Sequence, residues 1–295
     1  MAGTEKKTDT IPVQREWVGA PEGTLANPTV WLLVVTLTIF GVSSAAHLTG
    51  HLGTLPTIVL NAIAIYLGFT VMHESMHGVG HANRNVNRWL GRVGGLLLTI
   101  SLPMFRGVHY EHHSHTNDTE RDPDLFVASS PKWILPLWCL GIVFAYRRHF
   151  YGRKLQRSNS DLREALLVEG ILLATVAVAI ATGHVGTLFT VWFGPALLAV
   201  IFLAIAFDYL PHYPYDSAER YFDTRVYPGK LGNAILLGQN YHLIHHLWTT
   251  IPWYRYASVF EEIRPELERR GVRIGWSVTP GVVAGASDLA GHQRA

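Results

Sequence analysis

The sequence predicts an all-α integral membrane protein with four transmembrane helices arranged as two hairpins. Three observations support this fold class. The 295 residues are 48% apolar and only 16% charged, whereas soluble domains carry about 25% charged residues. Four stretches are apolar over a length sufficient to cross a bilayer, for which about 20 residues are needed. Finally, the basic residues are concentrated on one side of these stretches.

Four stretches are predicted to span the membrane: Val30–Leu48, Leu55–Met72, Ala165–Thr182 and Gly186–Leu210. Their carboxylates are Glu169, which either reaches the headgroups or has a function, and Asp208. Two shorter or proline-broken stretches, Gly94–Pro103 and Trp133–Tyr146, fit re-entrant or interfacial segments better. The alternative, that all of these are buried helices of a large soluble protein, is disfavoured because four long runs lack a polar face.

The distribution of basic residues predicts the orientation. The links Thr49–Thr54 and Gly183–Val185 contain no Lys or Arg. The other side contains Arg84, Arg88, Arg92, Arg106, Arg121, Arg147, Arg148, Arg153, Lys154, Arg157, Arg220, Arg225 and Lys230. The positive-inside rule therefore predicts that this side, both termini and every histidine-rich stretch face the cytosol.

A single membrane domain is expected at residues 29–270. Residues 1–28 are polar and mixed in charge, and they lack the basic-then-apolar pattern of a cleavable signal peptide. We therefore expect a disordered cytosolic tail there. The Gly- and Ala-rich residues 271–295 are expected to form a second, flexible tail.

Composition also excludes several kinds of site and partner. The formal net charge is +2 and no basic run alternates with aromatic residues, which argues against nucleic-acid binding. Cys139 is the sole cysteine, so the chain cannot form an internal disulfide, a cysteine-ligated iron–sulfur centre or a zinc ribbon. With sixteen histidines in the chain, any metal site is expected to use nitrogen ligands.

The histidines form three clusters with the spacing of metal ligands. They comprise His73 and His77, then His109, His112 and His113, and then His242, His245 and His246. Residues three and four apart lie on the same face of a helix. His212 follows the fourth predicted span, in the sequence Asp208-Tyr-Leu-Pro-His212. Eight or nine imidazoles exceed the three or four that one zinc takes, and they suit two first-row metals with open positions.

Carboxylates near the clusters are candidates to hold the ligand rings in place. Glu74 and Glu111 lie inside the first two clusters, and the second is followed closely by Asp118, Glu120, Asp122 and Asp124. A carboxylate that accepts the outer ring N–H fixes the tautomer and raises the basicity of the ligand nitrogen. For any one of these acids, a solvated loop charge is the simpler interpretation, but as a group they lie where such partners are needed.

Two other functions are compatible with parts of this pattern. His73-Glu74-x-x-His77 is also the zinc-metalloprotease motif, although a protease needs only one further ligand and would leave the other two clusters unexplained. A histidine-rich metal transporter would need polar groups inside the spans. Beyond Glu169 and Asp208, the spans offer few such groups.

The chain resembles the membrane fatty acid desaturase/hydroxylase superfamily, whose hallmark is three boxes, HxxxH, HxxHH and HxxHH. More narrowly, it is similar to the desaturase-like β-carotene hydroxylases of bacteria. The residues that carry this narrower resemblance are Gly107–Asp118, Asp122–Val127, Phe207–His212 and Arg225–Tyr254. The resemblance covers about residues 55 to 260.

This resemblance implies four transmembrane helices under a cytosolic helical cap that holds a di-iron site. The implied ligands are His73, His77, His109, His112, His113, His212, His242, His245 and His246. In desaturases an Asn-x-x-x-His element adds a histidine and a water-mediated contact. Here Asp208 replaces that Asn, so a carboxylate could ligate directly instead. His81 and His115 lie outside the three boxes.

The implied activity is O2-dependent hydroxylation of a membrane-dissolved carotenoid, converting β-carotene through cryptoxanthin to zeaxanthin by 3-hydroxylation of the β-ionone rings. The alternative within the superfamily is a fatty acyl or lipid desaturase. The resemblance implies two Fe ions, O2 as co-substrate and a bacterial inner-membrane location among membrane lipids. Because no nucleotide, flavin or haem motif is present, electrons are expected from a separate carrier such as ferredoxin, which the basic stretch Arg147–Arg157 could attract.

Overall fold

The computed structural model describes residues 10–276, and within that range every element is helical apart from one parallel bridge between Val226 and Ile274. The helices are α1 (Pro28–Leu48), α2 (Thr54–Met76), α3 (Arg84–Leu97), α4 (Leu102–Ser114), α5 (Leu135–Cys139), α6 (Ile142–Arg153), α7 (Asn159–Ala181), α8 (Val185–His212), α9 (Lys230–Leu236), α10 (His242–Leu247) and α11 (Tyr256–Arg269). Short 3-10 turns occur at Arg15–Trp17, Thr24–Ala26, Asp124–Ser129, Lys132–Ile134, Gln239–Tyr241 and Trp253–Arg255.

Four helices, α1, α2, α7 and α8, are long and apolar enough to cross a membrane, with 21, 23, 23 and 28 residues. The four predicted spans are therefore confirmed, as is the all-α membrane fold class. Two π-helical stretches, Phe189–Phe193 and Ala204–Tyr209, interrupt α8. The second π stretch contains Asp208 and is followed closely by His212. Single-turn π-bulges inside α-helices frequently occur at functional sites.

Buried polar side chains join the two hairpins within the apolar region. The amide of Asn61 on α2 donates to Ser44 Oγ on α1 at 3.0 Å and to the Val191 carbonyl on α8 at 2.7 Å. Ser43 also hydrogen-bonds to the Asn61 carbonyl oxygen. In a region without water such groups must be paired within the protein, so this network fixes how the hairpins pack.

Helices α3 and α4 form a hairpin whose turn reaches down beside α2. The turn at Leu97–Ser101 lies close to the spans, because Trp192 on α8 donates its Nε1–H to the Leu97 carbonyl at 2.9 Å. Gly94 approaches Gly68, five residues before His73 in the chain. The hairpin thus enters from the side of the histidines and returns α4 to them. This arrangement fits the re-entrant segment expected at Gly94–Pro103.

The described parts of both expected tails are packed against the domain, which differs from the prediction. Trp17 is buried against Trp248, with ring centroids 5.5 Å apart. Val272 and Arg273 are buried as well. The side chains of Trp17, Val272 and Arg273 thus pack against the rest of the domain. The polar composition of the termini did not predict this packing. The remainder of both predicted tails, residues 1–9 and 277–295, lies outside the described residues.

Candidate metal centre

Four helices bring the nine predicted ligands to one place. Helix α2 carries His73 in its last turn and is followed directly by His77, while α4 contributes His109, His112 and His113. The fourth span ends at His212, and the short helix α10 carries His242, His245 and His246. On α4, the buried side of the helix carries His109 and His112, and this side faces α2 and α10.

The first group contains His73, His77, His109 and His245, which each offer a ligand atom within 4.8 Å of the others. His73 Nε2 lies 3.2 Å from His245 Nε2. His113 belongs to the same neighbourhood, since its Nε2 is 3.0 Å from His109 Nε2 and 2.9 Å from His245 Nε2. His113 therefore lies beside this group of four, in contact with two of its members.

The second group contains His112, His212, His242 and His246, again with ligand atoms within 4.8 Å of one another. His246 Nε2 lies 3.3 Å from His112 Nε2 and 3.1 Å from His242 Nε2. Neighbouring residues on α4 and α10 serve different groups, because successive side chains on a helix point about 100° apart. The two groups are therefore adjacent and share two helices.

The chemistry of these groups fits two metal ions. Two ring nitrogens at about 3 Å can share at most one proton, so a cluster of such pairs lacks donors and calls for a cation. Nitrogens bound at about 2.1 Å in adjacent octahedral positions of one ion lie ~3.0 Å apart, close to the observed separations. Both ring nitrogens of His77 and of His212, and Nδ1 of His242, are buried without a hydrogen-bond partner. Bound metals would satisfy ring nitrogens of this kind.

Outer partners hold several of the rings in place. His112 Nδ1 lies 2.8 Å from Asp122 Oδ1, and His73 Nδ1 lies 3.3 Å from Glu74 Oε1. His245 Nδ1 is 2.9 Å from the hydroxyl of Tyr256. These contacts leave Nε2 of each ring free to bind a metal, which is the arrangement found around metal-ligating histidines.

The electrostatics differ across the site. Burial lowers the pKa of His109, His113 and His242 well below the usual value, so these rings are neutral near pH 7. Burial also disfavours the charged form of His112, but the carboxylates of Asp122 and Asp124 outweigh this effect and raise its pKa to about 10. The two buried carboxylates thus require a positive charge at this ring, which a bound metal would also supply.

An apolar cavity leads to the histidines. Its lining includes Phe69, Met72, Leu98, Ile100, Phe105, Ile142, Val143, Val200, Leu203, Ala204 and Phe207. The same cavity is lined by His73, His109, His112 and His242, together with Asp124, Asp208, Tyr146 and Arg147. A cavity with a mostly apolar wall and a few polar groups suits a largely apolar ligand.

Comparison with known proteins places the chain in a family. The fatty acid desaturase family model matches residues 49–277, which is most of the chain. The chain belongs to the fatty acid desaturase family.

Its relatives include both desaturases and carotenoid-modifying enzymes. The chain is 28% identical over 221 residues to dihydrorhizobitoxine desaturase of Bradyrhizobium elkanii, covering 63% of this chain and 60% of that one. It is 24% identical over 234 residues to an sn-1 acyl-lipid omega-3 desaturase (ferredoxin) of a Synechocystis species, covering 68% and 64%. It is 27% identical over 245 residues to a beta-carotene ketolase of a Paracoccus species, covering 77% and 86%. The matched region therefore spans less than two thirds of either desaturase.

Within this desaturase-family fold, four of the predicted outer carboxylates differ in position. Asp122 and Glu74 contact the rings of His112 and His73, and Asp208 lines the cavity beside the histidines. Glu111 does not reach a candidate ligand. It pairs with Arg121 at 2.9 Å instead, because its side chain points away from the histidine face of α4.

Two further histidines lie apart from both groups. His81 is buried, but its ring contacts Thr24 Oγ1 at 3.1 Å and the Asn83 backbone N–H at 2.8 Å. His115 lies just beyond the end of α4, and its Nδ1 is 3.1 Å from the Glu111 carbonyl oxygen. Neither ring points to the metal positions.

The structure adds partners that sequence reasoning missed. Tyr256 contacts His245, and Asp223 Oδ2 lies 3.5 Å from His246 Nδ1. Asp124 Oδ2 lies 3.4 Å from His112 Nδ1, and Asp124 Oδ1 accepts a 2.6 Å hydrogen bond from the Tyr146 hydroxyl. Asp124 is one of the carboxylates after the second cluster that the sequence predicted as outer partners. Nothing in the spacing of the sequence points to Tyr256 or Asp223.

The environment of Glu74 differs from that expected of a protease base. One of its oxygens contacts His73 Nδ1, and the other accepts the Trp253 backbone N–H at 2.9 Å. Glu74 is fully buried. Both carboxylate oxygens are therefore engaged by groups of the protein, whereas a protease base needs an oxygen available to a water molecule.

Glu169, whose role the sequence left open, is paired with a cation. Its carboxylate lies 2.9 Å from Arg147 Nε, and Arg147 also donates to the Thr99 carbonyl at 2.8 Å. The guanidinium thus connects α6 to α7 and to the turn before α4. This pairing accounts for a carboxylate in a spanning helix.

Proposed function

We propose that the chain is a non-haem di-iron oxygenase that uses O2 to oxidise an unactivated C–H bond of a lipophilic molecule in the membrane. The observation that carries this proposal is the convergence of two histidine groups beside an apolar cavity that members of both groups line. The substrate that we favour is β-carotene, with 3-hydroxylation of its β-ionone rings giving cryptoxanthin and then zeaxanthin. Support for a carotenoid substrate comes from the likeness to a beta-carotene ketolase over 86% of that protein.

The nine histidines would hold the metals, four in each group and His113 beside the first. Two irons bound there would supply the power to activate O2 and to oxidise a C–H bond. In the overall reaction, one oxygen atom is inserted into the C–H bond and the other leaves as water. Two electrons and two protons are consumed, and we propose a ferredoxin-type protein as the electron source, as the name of the Synechocystis relative indicates for that enzyme.

The chain's own residues perform the positioning. The side chains of Phe69, Phe105 and Phe207 surround the cavity and exclude water, which favours a single reaction at the bound molecule. Asp122 holds the ring of His112 in one tautomer. The protein therefore contributes orientation, dryness and electrostatics, while the metals contribute the redox chemistry.

We further propose that the site faces the cytosol of a bacterium, with both termini on that side of the inner membrane. The basic residues outside the spans support this orientation. An acidic carrier protein would approach the same side, and some of the cations there, such as Arg148, are exposed.

Expression in carotene-producing bacteria tests the proposed reaction, with chromatography and mass spectrometry of both pigments and acyl lipids. We expect cryptoxanthin and zeaxanthin to accumulate, and a His245→Ala variant to leave β-carotene unchanged. Unchanged carotene together with new double bonds in the acyl chains would favour the second candidate, an acyl-lipid desaturase, which the Synechocystis relative supports. Ring ketones in place of ring alcohols would contradict the hydroxylase proposal.

A further inference from the structure

Tyr146 on α6 forms part of the wall of the apolar cavity and also has a polar contact. It lies three residues after Val143 and four after Ile142, which line the same cavity. Residues at these spacings share one face of a helix. The Tyr146 hydroxyl donates to Asp124 Oδ1 at 2.6 Å. One side chain therefore touches both the cavity and a buried carboxylate.

The carboxylate that accepts this hydrogen bond lies beside a candidate ligand. Asp124 is buried, and its Oδ2 is 3.4 Å from His112 Nδ1. Asp122 Oδ1 lies closer to the same nitrogen, at 2.8 Å. Because Nδ1 carries at most one hydrogen, two carboxylates meet a single ring donor. The Tyr146 hydroxyl gives Asp124 a donor of its own, which matters because a buried carboxylate without hydrogen bonds is costly.

The elements that carry this hydrogen bond are fixed from two sides. In the turn that begins at Asp124, Phe126 stacks on Trp138 of α5 with ring centroids 5.3 Å apart. The Trp138 Nε1–H also donates to the Phe126 carbonyl at 3.0 Å. Arg147, directly after Tyr146, is paired with a carboxylate on α7. The turn and α6 are therefore both held in place, which defines the geometry of the hydrogen bond between them.

We infer that Tyr146 is a positioning residue for the proposed reaction. Its hydroxyl holds Asp124 against His112, and its ring contacts the molecule in the cavity. The inference rests on the proposed di-iron site, since His112 is a candidate ligand in the second histidine group. The hydroxyl thus acts on the metal of the second group, whereas the ring acts on the substrate.

The first histidine group has a tyrosine contact that provides a matched comparison. The Tyr256 hydroxyl lies 2.9 Å from Nδ1 of His245, a member of that group. Removal of each hydroxyl should therefore affect a different metal. Tyr151, also on α6, is the control, because its hydroxyl is buried without a hydrogen-bond partner among the described residues.

Mössbauer spectroscopy tests the inference without turnover, on the full chain purified with iron enriched in the Mössbauer isotope. Tyr146→Phe should change one half of the iron signal, Tyr256→Phe should change the other half, and Tyr151→Phe should change neither. An unchanged signal in Tyr146→Phe, or a change in the same half as in Tyr256→Phe, would overturn the inference. A parent chain without two irons would overturn the proposed di-iron site, and the inference with it.

Kinetics separate the two parts of the Tyr146 side chain, using whichever of β-carotene and acyl lipid the parent oxidises. Tyr146→Phe keeps the ring, so KM should stay at the parent value while kcat falls ~10-fold, the lower end of the loss typical of an outer partner. Tyr146→Leu should raise KM as well. An unchanged kcat in Tyr146→Phe would contradict the positioning role.

Asp124→Asn tests whether Tyr146 acts through Asp124. Residues that act through one contact are not additive, so adding Tyr146→Phe to Asp124→Asn should change neither kcat nor the iron signal further. A further loss as large as that of Tyr146→Phe alone would overturn the inference. If Tyr146→Phe does not fold, Asp124→Asn alone decides, because it must change the half of the iron signal that Tyr256→Phe leaves unchanged.

Discussion

At the scale of single residues, the histidines differ in ways that sequence spacing only partly predicts. His109, His112, His113 and His115 occur within seven residues. The first three project from α4 into the two groups, whereas His115 lies beyond the helix end. The end of the helix, and not the identity of the residue, decides which rings converge.

This difference leads to a prediction for a matched pair of variants. His113→Ala removes a ring nitrogen that lies within 3.0 Å of two others, so the purified chain should lose iron from the first group. His115→Ala removes only a ring that contacts the Glu111 carbonyl, so this variant should keep the iron content of the parent. Mass spectrometry of the metal in each purified chain measures both. Equal iron in the two variants would show that His113 is no ligand.

The outer partner Asp122 gives a second prediction. Asp122→Asn removes the negative charge that faces His112 Nδ1 at 2.8 Å, and loss of such a partner typically weakens metal affinity ~10–100-fold. Competition with an iron chelator measures the affinity. Glu120→Gln, an exposed position two residues earlier, is the control and should bind as the parent does. Unchanged affinity in Asp122→Asn would mean that the contact does not support the ligand.

Much of the metal centre was predictable at this scale, because ligand spacing on helices is a local property. Assignment of each ring to a group was not predictable. It depends on how α10 is rotated against α4 and α2, which no local pattern records. The same holds for Tyr256 and Asp223, whose contacts with His245 and His246 join separate segments of the cap.

At the scale of helices, α3 approaches α2 closely near the end of α2 that carries His73. A Cβ added at Gly94 would lie 2.4 Å from the Gly68 carbonyl oxygen and 3.1 Å from the Met72 backbone nitrogen. Both neighbours are backbone atoms and cannot move aside alone. Small residues at helix contacts in membranes commonly permit such an approach.

Gly94→Ala should therefore push α3 away from α2 and disturb His73 and His77 at the end of that helix. We expect a loss of stability of about 1–3 kcal/mol, the usual cost of overpacking, seen as a lower midpoint in a thermal size-exclusion assay. Gly41→Ala on α1 is the control, because an added Cβ there meets nothing within 4 Å. Equal thermal midpoints of the two variants would show that the close contact at Gly94 does not determine the stability of the protein.

The four spans were predicted from the sequence with errors of a few residues at their ends. A bilayer requires a long apolar run for each span, so composition alone locates them. A re-entrant or interfacial segment was predicted at Gly94–Pro103, where the structure has the turn between α3 and α4. The contacts of this region with Gly68 and Trp192 were not predicted, because they depend on tertiary packing. Packing also explains why Trp17, inside an expected tail, is buried.

At the scale of the whole molecule, two membrane hairpins carry a helical cap in which all nine candidate ligands converge. The spans contribute His73 and His212 near their ends, and the cap contributes the rest. Membership of the fatty acid desaturase family and the arrangement of two histidine groups lead to the same central claim. We propose that the chain holds a pair of irons beside an apolar cavity.

Metal quantification on the full chain, purified after growth with sufficient iron, tests this claim most directly. The account predicts two irons per chain, and their joint loss when one member of each group is replaced, as in a His77→Ala, His242→Ala double variant. A single zinc per chain that persists in iron-rich medium would contradict it and would favour the one-metal interpretation of His73-Glu74-x-x-His77.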